Sequence, residues 1–233
     1  VGEFPELQGI MGNYYARHEG LRDGVAIAIE DHYKPRFAGD ELPRNQTGTV
    51  LALADKLETL VGMFGIGNLP TGDKDPFALR RHALGVIRML VEKRLPINLP
   101  ELLHSAAAAF GALLPDAASA NQKLIEFMDE RASGYLREQG YSAQEVDAVL
   151  AVHPTWGEVP VRLQAVRSFA ALPEAPALAA ANKRIGNILK KAGEAGQVVD
   201  AHVSEVLLQE AAEKTLYAAM QNVVPQANTH FDA

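Results

Sequence analysis

The sequence has 233 residues, of which 48% are hydrophobic and 22% charged, a balance that is typical of a folded protein and excludes a disordered chain. The net charge of −7 excludes a surface that is basic throughout, so a contact with nucleic acid is expected only at a local patch. The lack of cysteine excludes disulfides and thiolate metal sites and fits a cytoplasmic protein. No apolar run approaches the roughly 20 residues that span a bilayer. Because the sequence starts at Val1 without a methionine, we expect it to be part of a longer protein.

Apolar residues recur with helical spacing along nearly the whole chain, and convincing alternating strands are absent. This pattern predicts helices over residues 5–19, 21–34, 46–64, 76–94, 99–114, 118–139, 142–151, 158–171, 175–193 and 197–222. The stretch VAIAI at 25–29 fits a strand in isolation, but the helical patterns on both sides favour a helix. Asn98 marks one helix start, and Ser142 with Glu145 forms the capping box of another. The sequence therefore predicts an all-α fold.

The stretch PTGDKDPFALRRHALGVIRML at 70–90 combines a turn with the start of a helix. Asp75 suits the N-cap, because its carboxylate can accept hydrogen bonds from the unpaired N–H groups of the first turn. Pro76 suits the first helical position, where a missing N–H is harmless. We therefore expect the helix to begin at residue 76.

Three arginines of this helix are candidate functional residues. Arg80 falls at the edge of the apolar face, where an unpaired guanidinium would be destabilising, so we expect a buried ion pair that fixes the turn, with direct ligand contact as the alternative. The possible partners are Asp55, Asp73 and Asp75. Arg81 and Arg88 lie on the opposite face and are expected to be free to face solvent, RNA or a neighbouring domain.

A second group of cations lies in AAANKRIGNILKKAGEAG, residues 179–196. At 100° per residue, an arc of roughly 120° gathers Lys183, Arg184, Asn187, Lys190 and Lys191. Four cations and an amide on one stripe predict a track for phosphates. A solvated helix face is the alternative.

Catalytic motifs are absent from the sequence. The seven histidines are scattered, without an HExxH pattern, and there is no Walker loop, GxSxG motif or cysteine nucleophile. GMFGIGN at 62–68 is better explained as a helix end and turn than as a dinucleotide loop, since no strand precedes it. We expect no catalytic residue and no metal ligand in this chain.

Four stretches in the same order resemble the β subunit of the bacterial two-subunit glycyl-tRNA synthetase. They are EFPELQGIMGNYYA (3–16), HYKPRFAGDELP (32–43), LALADKLETLVGMFGIGNLPTGDKDPFALRRHALGVIRML (51–90) and AAANKRIGNILKKA (179–192). The second and third stretches are long enough to make chance similarity implausible, and the four are spread over most of the chain, from residue 3 to residue 192.

The resemblance implies three parts. Residues 1–104 would be the C-terminal part of an HD-type helical domain, 105–155 linker helices, and 156–233 a partial anticodon-binding helical bundle. Catalytic HD enzymes hold their metal with a His-Asp doublet and a second aspartate later in the chain. This sequence has no such doublet, and Asp55 resembles only the second aspartate. The resemblance therefore implies that the fold is kept without the hydrolase chemistry. The basic stripe resembles part of the first helix of the anticodon-binding domain, which favours the phosphate track.

The resemblance also implies partners. The parent enzyme would join glycine to tRNA-Gly with ATP and Mg, and this chemistry would reside on a separate α subunit in an α2β2-type assembly in the cytoplasm. The present chain would be a tRNA-binding region without a cofactor of its own. Two alternatives stay open: a metal-dependent HD-type phosphohydrolase with an ion near Asp55 and His32, and a non-catalytic helical scaffold.

Overall fold

The computed structural model describes residues 2–114, 116–199 and 202–231. Its α-helices are α1 (Ile10–His18), α2 (Asp23–Asp31), α3 (Gln46–Gly65), α4 (Leu79–Glu92), α5 (Leu99–Ala108), α6 (Ala117–Glu138), α7 (Ala143–Leu150), α8 (Val159–Ala170), α9 (Ala175–Glu194) and α10 (Ala211–Phe231). Short 3₁₀ turns occur at Pro5–Leu7, Gly111–Leu113, Trp156–Glu158 and Glu205–Leu207. No strand occurs within these described ranges, so the predicted all-α fold is confirmed. In the same part of the chain, no helix is long and apolar enough to cross a membrane.

The chain divides into two compact units, residues 1–172 and 173–233. The core of the first unit is built by α3, α4, α5 and α6. Its fully buried large side chains include Leu60, Ile87, Leu90, Leu103, Leu124 and Met128. Each contributes about 1.5–3 kcal/mol relative to an exposed position. A smaller cluster around Val146 and Leu163 joins α7 to α8.

Local capping signals fix several helix starts. Asn45 Oδ1 accepts a hydrogen bond from the Gly48 N–H at the start of α3, and Asn98 caps α5 in the same way. The predicted capping box of Ser142 and Glu145 is confirmed, with both reciprocal hydrogen bonds present. The stretch 25–29 lies within α2 and is helical.

The predicted start of α4 at residue 76 is wrong by three positions. The helix begins at Leu79, because Ala78 adopts a left-handed conformation (φ 54°) that interrupts the helical path after Pro76. Asp75 still caps the helix: its carboxylate oxygens accept hydrogen bonds from the N–H groups of Leu79 (2.8 Å) and Arg80 (3.0 Å). Asp75 therefore accepts the first N–H groups of the helix as predicted, but the N-cap position belongs to Ala78, three residues later.

The last predicted helix, over 197–222, is also displaced. Gly196 ends α9 in a Schellman motif, in which the Gln197 N–H donates to the Ala192 carbonyl. The following segment has only the short turn at Glu205–Leu207 before α10 begins at Ala211, and residues 200 and 201 lie outside the described ranges.

The second unit has almost no core among its described residues. Ala175 is the one buried residue there. The large apolar side chains of α9 and α10 are exposed: Leu178, Ile185, Ile188, Leu189, Leu216, Met220, Val223 and Val224. The unit boundary after residue 172 does not test the predicted division into an HD-type part, linker helices and an anticodon-binding part, which stays a prediction.

Candidate nucleic-acid interface

Arg80 secures the turn before α4, but not through an ion pair. Its guanidinium Nη2 donates to the backbone carbonyl of Gly72 at 2.6 Å. Among the residues that the structure describes, no carboxylate lies within ion-pair distance of it, so the expected pair with Asp55, Asp73 or Asp75 is corrected. The reason is geometric: the oxygens of Asp75 already accept the backbone N–H groups at the helix start, and Asp55 and Asp73 are exposed.

Arg88 is held inside the first unit. Its side chain is 11% exposed, its Nε donates to Glu92 Oε1 at 2.6 Å, and its Nη1 donates to the Asp40 carbonyl at 2.8 Å. The expectation that Arg88 is free to face a partner is therefore corrected. Arg81 differs, because it is exposed and makes a single long hydrogen bond, 3.4 Å, to the carbonyl of Arg36.

The contact between Arg88 and Asp40 anchors a loop that precedes α3. Within this loop, the guanidinium of Arg36 donates two hydrogen bonds to the Asp40 carboxylate, at 2.9 and 3.2 Å, and the Arg36 N–H adds a third at 2.8 Å. These hydrogen bonds, led by the one from the Arg36 side chain, lower the pKa of Asp40 to about 2. The carboxylate is 6% exposed, so the pair is a structural clamp.

A second clamp fixes the end of the same loop. Arg44 donates from its backbone N–H to Asp31 Oδ2 at 2.6 Å and from its guanidinium to both oxygens of that carboxylate. Burial alone would raise the pKa of Asp31, but the hydrogen bonds from Arg44 and the charge of Lys34 outweigh it, so this pKa is lowered. The loop is thus tied to α2 as well as to α4.

The clamped loop presents an exposed aromatic ring. Phe37 is 58% exposed, and the Arg36 guanidinium carbon lies 5.9 Å from its ring centroid. The ring stands at the edge of a groove of about 820 Å³ between α4 and α6. Four arginines line this groove: Arg80, Arg81, Arg131 and Arg137. The sequence patterns contained no signal for it, because its lining residues come from three separate segments: the loop with Phe37, residues 80–84 of α4 and residues 130–138 of α6.

A smaller cavity of about 300 Å³ shares Arg81 with the groove and is also lined by Lys56. Lys56 is 4% exposed, and its amine donates to the His32 carbonyl at 3.1 Å, at the C-terminal end of α2. Burial lowers the pKa of Lys56 to about 8, against the attraction of Asp55 and Asp40. Burial also lowers the pKa of His82, which lines the same cavity. Lys56 therefore acts as a structural cation that compensates the carbonyl end of a helix.

The basic stripe predicted on α9 is exposed along its whole length. All five side chains, Lys183, Arg184, Asn187, Lys190 and Lys191, are exposed. Within the described part of the chain, the only ion pair on this face joins Lys190 to Glu194 at 4.0 Å. Four cations and an amide are therefore available to an anionic partner in the second unit.

The alternative metal site near Asp55 and His32 finds no support in the arrangement of side chains. Within the described ranges, no group of three or more histidine, aspartate or glutamate residues is placed to hold a metal ion. His32 instead lies against the ring of Tyr33, with 4.0 Å between centroids.

Comparison with known proteins places this architecture in a family. The family model described as "Glycyl-tRNA synthetase beta subunit" matches residues 1–151. The chain belongs to the glycyl-tRNA synthetase β-subunit family.

Relatives in this family are similar over the whole chain. The glycine–tRNA ligase β subunits of Polaromonas naphthalenivorans and Leptothrix cholodnii are each 71% identical to it, over 233 and 232 residues, and that of Thiobacillus denitrificans is 64% identical over 233. These matches cover 99–100% of this chain and 32% of each relative. The chain thus spans about a third of the length of the curated β subunits that it matches.

Proposed function

We propose that this chain is a tRNA-binding region of a glycine–tRNA ligase β subunit and takes part in the ATP-dependent formation of glycyl-tRNA. The observation that carries the proposal is the exposed stripe on α9. It places four cations and an amide on one helix face, with a single ion pair, at its end, among the residues that the structure describes. Membership of the β-subunit family supplies the identity of the RNA, tRNA-Gly.

In this proposal the chain holds RNA and does not perform the chemistry. Lysine and arginine side chains bind the phosphate backbone, and unpaired bases are read by contacts outside the stripe. Glycine adenylation and transfer, with ATP and Mg, take place on the α subunit, which assembles with the β subunit in the cytoplasm as an α2β2-type complex. The chain alone is therefore expected to bind tRNA-Gly and to catalyse no glycine-dependent exchange of pyrophosphate into ATP.

The test is a charge reversal on the stripe. In Lys183→Glu/Lys190→Glu we expect the Kd for tRNA-Gly to rise at least about tenfold and the slope of log K against log salt to fall by about 2, since two phosphate contacts are lost. Binding is measured by fluorescence anisotropy across about 50–300 mM salt, with a non-cognate tRNA alongside, and far-UV circular dichroism checks that α9 stays helical.

A matched control distinguishes the loss of contacts at the stripe from the effect of a changed net charge. Arg22→Glu/Lys123→Glu changes the net charge by the same amount at two exposed positions of the first unit. If both double variants weaken binding equally, only the overall charge matters and the stripe is not a binding site. If neither variant nor the parent chain binds RNA, the scaffold alternative is correct.

A further inference from the structure

We infer that the groove between α4 and α6, with Phe37 at its edge, binds a single-stranded segment of RNA. The inference rests on the proposed role in tRNA binding and adds to it a second site, in the first unit. Its ligand class is a nucleotide with an unpaired base, held by stacking and by its phosphate.

The charge of the groove favours an anion. Four arginines line it against two acids, Glu130 and Glu138, which leaves a local excess of two positive charges in a chain whose net charge is −7. Arg137 makes no side-chain hydrogen bond or ion pair with any residue in the described ranges. Arg131 differs: its Nη2 donates to Glu130 Oε1 at 2.5 Å, and only its buried Nε has no partner in that part of the chain.

The aromatic ring in the groove is exposed on a rigid support. A phenyl ring that is 58% exposed contributes little to folding, yet Phe37 is carried by a loop held by Arg36–Asp40, by Arg88 and by Asp31–Arg44. A ring fixed in this way is a preformed stacking surface, because little conformational entropy is lost when a base lies against it.

A glycine in the wall of the groove supports the same conclusion. Gly134 lies within α6, where glycine is unfavourable by about 1 kcal/mol relative to alanine. A Cβ at this position would meet no atom within 4 Å, so the packing of the chain does not require glycine there. The bare backbone leaves space for a ligand to approach the helix closely.

The size of the groove points to an unpaired strand. Its volume of about 820 Å³ falls within the range of about 300–1,000 Å³ of pockets that enclose small ligands. A base with its ribose and phosphate fits this space, whereas a duplex would keep its bases stacked inside and away from Phe37.

The experiment uses the 233-residue chain and two probes, fluorescein-labelled oligoadenylate and tRNA-Gly. In Phe37→Ala we expect the Kd for oligoadenylate to rise about tenfold through lost stacking. In Arg137→Ala the salt slope should fall by about 0.7, the value for one phosphate of a single strand. Oligoadenylate annealed to oligouridylate should bind more weakly than the free strand.

Each variant has a control at an equally exposed position away from the groove. These controls are Tyr14→Ala for the aromatic ring and Arg22→Ala for the arginine. Gly134→Glu places an acid in the groove while improving helix propensity, so it should weaken RNA binding without unfolding the chain. Gly24→Glu, at another helical glycine with free space around it, should leave the Kd unchanged.

The possible outcomes separate this inference from the proposed function. If the stripe variant loses tRNA-Gly while Phe37→Ala, Arg137→Ala and Gly134→Glu bind both probes like the parent chain, the groove inference is wrong and the proposed function stands. If the groove variants reduce capture of the α subunit but not of RNA, the groove is a protein interface and the inference is overturned. If the parent chain binds neither probe, both proposals fail.

Discussion

Replacing Arg88 by methionine tests whether this residue positions the loop or touches RNA. Methionine keeps most of the volume of the buried stem and removes three hydrogen bonds, one to the Asp40 carbonyl and two to Glu92. A bond from a charged donor contributes about 1.5–3 kcal/mol, and the half-exposed helical pair with Glu92 adds about 0.5 kcal/mol. We expect the free energy of unfolding to fall by about 2–3 kcal/mol, measured by urea titration with circular dichroism.

The effect of Arg88→Met on RNA should have a particular signature. Because the loop loses its anchor to α4, Phe37 is less well placed and the Kd for oligoadenylate should rise several-fold. The salt slope should not change, since Arg88 is 11% exposed and its guanidinium is already bonded to Glu92 and to the Asp40 carbonyl. A slope that falls by about 0.7–0.9 would refute this reasoning, because it would show that Arg88 contacts the RNA backbone directly.

Three further predictions concern stability. Burial lowers the pKa of Lys56 to about 8 in the folded chain, whereas the pKa of an unfolded lysine is about 10.4. Between these pH values the unfolded chain binds more protons, so stability rises with pH. Relative to Lys56→Met, the parent chain should gain about 2–3 kcal/mol across this window in urea titrations, and parallel curves would show that the amine is not buried. Gly157→Ala should reduce stability by about 2 kcal/mol or more, because a Cβ would lie 2.6 Å from the Leu95 carbonyl oxygen; an unchanged melting temperature would contradict this contact. Arg80→Ala should reduce stability by only about 1 kcal/mol through its bond to Gly72, and a loss above about 3 kcal/mol would indicate a buried carboxylate partner.

Features that depend on neighbouring residues could be predicted from the sequence. Local spacing and local hydrogen bonds determine three features that are present: the apolar arc of α4, the capping box of Ser142 and Glu145, and the hydrogen bonds from the start of α4 to Asp75. The stripe on α9 likewise lies on a single helix, so the residues that share its face could be predicted from helical geometry alone.

Features that join distant segments could not be predicted. Arg88 is held by a hydrogen bond to a carbonyl 48 residues away. No pattern within α4 distinguishes this arginine from the exposed Arg81. The groove at Phe37 requires the loop, α4 and α6 to meet, which is decided by tertiary packing. The start of α4 was missed for a smaller reason: the left-handed conformation of Ala78 has no signature in a non-glycine residue.

The side chain of Lys56 packs against Gly85 of α4, so the residues allowed at positions 56 and 85 depend on each other. A Cβ at Gly85 would lie 2.9 Å from Lys56 Cε, so the long side chain occupies the space that any larger residue at position 85 would need. Gly85→Ala should therefore be harmful beside lysine and nearly harmless once position 56 carries alanine, a coupling that a double-mutant cycle measures directly. In evolutionary terms the pair is epistatic: the cost of a substitution at position 85 depends on the length of the side chain at position 56.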